Sequence, residues 1–118
     1  MVAAGTIAAG DHVMALKGVI PTPVERICRA ANGQDWPCGA RARTALRGYL
    51  RGRAVVCEVT EGGALEVETD CTVSGRDIAR WLVTRGWVEV PDGSPYAELS
   101  DEARASGFGL FGNGLDEE

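Results

Sequence analysis

Four cysteines, Cys28, Cys38, Cys57 and Cys71, restrict this chain more than any other feature. Four thiols allow three disulfide pairings, and the local patterns single out one. Val55, Cys57 and Val59 alternate onto one strand face, and Thr69, Cys71 and Val73 do the same on a second run. Glu61-Gly62-Gly63-Ala64 supplies a turn between them. Folding that hairpin about its midpoint sets Cys57 opposite Cys71, within reach of a cross-strand bridge where the pair is not hydrogen-bonded. Cys28 and Cys38 are then left to pair across a loop holding Asn32-Gly33. The competing uses are a zinc site and free buried thiols. Neither pair has the short CxxC spacing of structural zinc, so two disulfides are expected. They imply an oxidising compartment, periplasmic or secreted. Met1 to Gly10 has neither the basic n-region nor the apolar h-region of a signal peptide.

At 118 residues, one domain is expected. No apolar run approaches the length of a membrane-spanning helix. The formal charge of −5 is not that of a typical nucleic-acid binder. Its distribution is uneven: Arg26 to Arg53 holds seven arginines against Asp35 alone, whereas residues 54–75 hold five acids and no base. From Gly86 onward, Arg104 faces eight acids. Such blocks either orient a partner or form solvated faces that neutralise each other.

Periodicity gives an α+β order. Thr6-Ile7-Ala8 and Val13 to Val19 read as strands around a Gly10-Asp11 turn, and Pro21 and Pro23 end strand character. Residues 24–37 form a long connection over which Trp36 packs. Ala42, Ala45, Leu46, Tyr49 and Leu50 make one apolar stripe on a helix over 39–50 that Gly52 stops. The hairpin of 54–60 and 65–73 follows. A second helix runs over 77–84 with Ile78, Trp81 and Leu82 inward, and Trp87 to Val90 is extended. Ser94 caps a third helix with Pro95 at its first position, ending near Gly107. Phe108, Leu110 and Phe111 pin the end of the fold, and residues 113–118 are a frayed acidic tail.

The inventory of reactive groups is thin. His12 is the one histidine and falls in the predicted turn. Oxidised cysteines leave no thiol nucleophile. No Walker loop, HExxH or EF-hand pattern occurs. Glu66, Glu68 and Asp70 alternate as the outward row of a half-buried strand should. Arg41, Arg43, Arg47, Arg51 and Arg53 are candidates for holding phosphate or an acidic protein face.

Several stretches carry a resemblance. They are Gly5-Thr6-Ile7, Val13-x-x-Leu16-x-Gly18-Val19, and Trp36-Pro37-Cys38-Gly39-x-Arg41-Ala42. Gly52-Arg53-x-Val55-x-Cys57 and Cys71-x-Val73-x-Gly75-x-Asp77-Ile78-Ala79-x-Trp81-Leu82-Val83-x-x-Gly86-Trp87 follow, then Tyr96, Glu102-Ala103-Arg104 and Gly109-Leu110-Phe111. Over residues 5–112 the chain resembles the staphylococcal-nuclease-like (thermonuclease) family, in its secreted bacterial branch. The resemblance implies one domain over 1–118: an OB-type five-stranded β-barrel with about three helices, its first strand shortened.

The resemblance also implies calcium-dependent phosphodiester cleavage, by acids that hold the metal and arginines that neutralise the phosphate. Those positions are emptied here. The first metal-binding aspartate falls on Gly5, the first arginine on Ala15, the second aspartate on Ile20 and the acidic member of the Asp-x-Pro-Glu motif on Pro23. The second arginine falls near Glu66, and no arginine lies between Arg53 and Arg76. Gly5, Ile20 and Pro23 offer calcium no side-chain oxygen, and nothing stabilises the charge of a pentacovalent phosphate. The expectation is a non-catalytic domain without cofactor or metal, an accessory scaffold that binds another protein or a larger assembly. Its cleft would be floored by Ala15, Ile20 and Pro21. The alternatives are a calcium-dependent nuclease with a relocated site, drawing on Asp11, Glu25 or Glu66 with Arg26, and nucleic-acid binding without cleavage through the five arginines.

Overall fold

A computed structural model of the protein describes residues 3–9, 12–30, 32–58 and 66–112. Strands β1 (Thr6–Ala9) and β2 (His12–Leu16) pair antiparallel, with Ile7 opposite Met14. His12 therefore opens a strand, paired with Ala9, instead of sitting in the turn. β3 (Cys28–Arg29) and β4 (Asp35–Trp36) make a two-residue ladder that leads into α1 (Cys38–Leu50). Next come β5 (Val55–Cys57), β6 (Glu66–Thr69), β7 (Cys71–Val73) and β8 (Arg76–Asp77). Helices α2 (Ile78–Thr84) and α3 (Ala97–Ser106) and a 3-10 turn at Gly109–Phe111 complete the order.

The expected five-stranded barrel does not form. The strands lie in three small sheets, ordered β1-β2-β6, β3-β4 and β5-β7-β8. The reason lies at Asp70, between β6 and β7. Before it, β6 pairs in parallel with β2, Met14 opposite Val67. After it, β7 pairs antiparallel with β5. One extended run thus passes from one sheet to another, and among the described residues no ladder returns to close a cylinder, as a barrel requires. The segment after β2 does not bridge the gap either. Pro21 and Pro23 lack amide donors, and only the isolated bridges Ala4↔Thr22 and Ile20↔Glu89 form there. Within 87–90, likewise, only Glu89 is bridged.

Local chemistry fixes the elements. Ser74 and Gly75 both have positive φ, 53° and 77°. With Val73 opposite Arg76, they make the two-residue turn whose twist suits a tight hairpin. Asp77 caps α2, its carboxylate accepting from the Ala79 amide at 3.1 Å. The Ser94 hydroxyl accepts from the Tyr96 amide and donates to the Gly18 carbonyl at 2.7 Å. That closes a turn at 94–96, so α3 begins at Ala97 and not at the expected Pro95. The expected 61–64 turn and the 113–118 tail lie outside the described residues.

The core joins all three sheets to the helices. Leu16, Leu46, Ile78, Leu82, Val83 and Val88 are fully buried. Trp36 and Trp87 meet edge to face at 6.5 Å. Thr22, buried beside them, donates to the Trp87 carbonyl at 2.8 Å, so its hydroxyl is not left unsatisfied. Both disulfides take the expected pairing. Cys28 bonds Cys38, and Cys57 bonds Cys71 directly across β5 and β7 with Cα atoms 4.0 Å apart. That separation is the close spacing of a non-hydrogen-bonded pair. Two disulfides fit an oxidising environment. Among the described residues no helix is long and apolar enough to cross a membrane.

Candidate functional site

The positions that the resemblance assigns to a nuclease site lie at or beside the β1-β2-β6 sheet and along the segment after β2. Gly5 accepts from the Leu16 amide and lies against Pro21. Ala15 pairs with Thr6 on one side and Glu68 on the other, and Glu66 pairs with Val13 on the same sheet. Ile20, 47% exposed, donates its amide to the Glu89 carbonyl, and the Pro23 carbonyl accepts from the Arg26 amide. Gly5, Ala15, Ile20 and Pro23 bring no polar side-chain atom to that surface. Arg26, a member of the relocated-site alternative, forms an ion pair with Glu89 at 2.8 Å. Glu25 is exposed, and Asp11 lies outside the described residues. Among the described residues no group of three or more His, Cys, Asp or Glu is placed to hold a metal.

The five arginines of the α1 region are spread along the helix. Arg41, in the first turn of α1, lies over the Trp36 ring at 5.9 Å, while Arg53 lies beyond the helix end. Arg47 and Arg51 are exposed. Arg43 is half-buried, its Nε enclosed without a hydrogen-bond partner. Arg53 donates to the Tyr49 carbonyl at 2.9 Å and sits over the Tyr49 ring at 5.5 Å.

Arg53 also enters a second arrangement. The Tyr49 ring of α1 stacks on the Trp81 ring of α2, centroids 4.1 Å apart and planes within 4°. Arg85 covers the far side of Trp81 at 5.8 Å, as Arg53 does for Tyr49. The result is a four-layer pile of guanidinium, phenol, indole and guanidinium. Beside it runs a cleft of about 590 Å³, lined by Thr44, Gly48, Tyr49, Arg76, Trp81 and Arg85 among others. It adjoins a hollow of about 400 Å³ that adds Asp77, Arg80 and Thr84. None of Arg53, Arg76, Arg80 and Arg85 pairs with a described carboxylate.

Asp77 lines the adjoining hollow and offsets part of this charge, and both of its oxygens are already engaged. One caps α2 and the other accepts from the Tyr96 hydroxyl at 2.5 Å. Burial raises the Tyr96 pKa above the ordinary phenol range, and the hydrogen bond and charge of Asp77 push the same way. A folded-state value above the unfolded one means stability is complete below pH about 10 and falls as the pH climbs past it. Tyr96→Phe is expected to lose about 1–2 kcal/mol at neutral pH and to flatten that alkaline decline. Urea unfolding followed from about pH 8 to about pH 11 measures both.

Sequence reading passed over Arg76, Arg80 and Arg85, and placed Tyr49 and Trp81 in the core. A signal was present at Trp81/Arg85, four residues apart, the spacing of neighbours on a helix face; Arg53 follows the end of α1 and Arg76 precedes α2 on β8, so helix spacing does not reach them. Comparison with family models and with curated proteins finds no match to this chain in either.

Proposed function

We propose that the chain is a non-catalytic, nuclease-like module, periplasmic or secreted, that binds another protein as an accessory part of a larger assembly. One observation carries this reading. Of the positions that the resemblance assigns to metal and phosphate, Gly5, Ala15, Ile20 and Pro23 have no ligating or charged side-chain atom, and the second arginine's position falls near an acid, Glu66. Calcium needs several oxygen ligands, and a phosphodiester's developing charge needs fixed cations. Arg26, the nearest cation in the chain to Pro23, is held by Glu89. The second reading is nucleic-acid binding without cleavage, favoured by the exposure of Arg41, Arg47, Arg51 and Arg53.

The test is incubation of the purified protein with supercoiled DNA and with RNA, with calcium and with chelator. No metal-dependent nicking is expected, and clear calcium-dependent cleavage would sink the proposal. In the same preparation, weak single-stranded DNA binding that is already lost at physiological salt supports the protein-binding reading. A tight, steeply salt-dependent affinity turns the choice to the second one.

A further inference from the structure

We propose that the cleft between α1 and α2 is a binding site for a compact oligophosphate, inorganic or carried by a nucleotide. Four guanidiniums from three separate elements converge there: Arg53 beyond α1, Arg76 on β8, and Arg80 and Arg85 on or just beyond α2. Part of this has a structural explanation. Arg53 caps a carbonyl at the end of α1, and Arg85 follows the last turn of α2, where cations are favoured. Arg76 and Arg80 have no such role. Both are exposed, and neither pairs with a described carboxylate. Arg53, Arg76 and Arg85 line the cleft, and Arg76, Arg80 and Arg85 the adjoining hollow; like charges held so close repel, and a bound anion relieves them.

The kind of anion follows from shape and surroundings. The cleft and its annex have the size of a small-molecule site. Guanidinium forks match phosphate oxygens bidentately, and the Thr44 and Ser74 hydroxyls at the margins add donors. The faces of Tyr49 and Trp81 are taken by each other and by Arg53 and Arg85. Recognition is therefore by charge and hydrogen bonds, not by stacking. A long nucleic acid fits less well. A strand leaving the cleft would meet α3, which packs on α2 and exposes Glu98, Asp101 and Glu102.

Calorimetric titration of the whole domain with tripolyphosphate, ATP and an oligoglutamate peptide tests this at low salt. Trp81 lines the cleft, so a change in tryptophan emission on titration is a second readout, against the background of the buried Trp36 and Trp87. Tripolyphosphate is expected to bind and to perturb the emission. The Arg76→Gln/Arg80→Gln variant should bind at least about tenfold more weakly with unchanged thermal unfolding. Equal affinity for ATP assigns the site to the phosphate chain alone, and tighter ATP binding shows that a nucleoside contributes. Absence of binding by both phosphates, equal affinity in the variant, or preference for oligoglutamate overturns the proposal. Should the double variant misfold, Arg80→Gln alone carries the comparison. The titration involves no cleavage, so its outcome is independent of the nuclease assay.

Discussion

Reduction of both disulfides is expected to unfold most of this protein at room temperature. The bridges close loops with sequence separations of 10 and 14 residues. In the chain-entropy account each stabilises by about 3 kcal/mol, through the freedom it denies the unfolded chain. A loss of about 6 kcal/mol is comparable to the whole stability of a small domain. Local structure offers little to fall back on. β5 has three residues, and the β3–β4 ladder has two on each side, far below what holds together alone in water. Cys38 and Cys71 are also fully buried at the centre of the core, so opening either bridge loosens α1 or β7 where they pack. Near-UV circular dichroism, to which the Trp36–Trp87 and Tyr49–Trp81 contacts contribute, should collapse as reductant is titrated. Replacing one cysteine pair by alanines should cost about half the total. A reduced protein with unchanged unfolding temperature would refute this account and remove the reason for an oxidising compartment.

The same local economy decides what could be read from the sequence. α1 and α2 were legible because their apolar stripes have helical spacing and end at Gly52 and Gly86, both with positive φ. The Cys57–Cys71 bridge was legible because the partners are only fourteen residues apart, on two alternating runs that pair antiparallel. The sheet arrangement was not. β6 takes β2 as its parallel neighbour, more than fifty positions earlier in the chain, and no local alternation encodes a partner. A barrel was inferred from resemblance, whereas the change of sheet at Asp70 leaves no mark in hydrophobic pattern. The cleft failed for a different reason. Trp81 has the helical spacing of a core residue, yet it is only half-buried, and what covers it is the Tyr49 ring of the neighbouring helix. The arginines that matter there come from segments on both sides of the acidic stretch, so a count of charge by blocks divides them.

The substitution Gly39→Ala should be strongly destabilising even though alanine is the better helix former. Propensity alone predicts a gain of about 1 kcal/mol. Packing reverses the sign. Gly39 is the second residue of α1, and a Cβ there would lie 2.0 Å from the Pro23 carbonyl oxygen and 2.7 Å from that of Val24. These are backbone atoms, so no side-chain rotation relieves the clash. Nor can the helix easily back away. The Gly39 amide donates to the Arg26 carbonyl at 3.0 Å, and neighbouring Cys38 is tied to Cys28. Overpacking against fixed neighbours costs about 3 kcal/mol or more, which for a domain of this size lowers the unfolding temperature by about 10 °C. Gly48→Ala is the internal control. It lies in the same helix with nothing within 4 Å of the new methyl, so propensity acts unopposed and should raise stability by about 0.5–1 kcal/mol. Thermal unfolding of the two variants side by side should therefore give shifts of opposite sign. If Gly39→Ala instead matches Gly48→Ala, then the 23–26 segment does not sit on the start of α1, and the close approach that fixes this corner of the fold is absent.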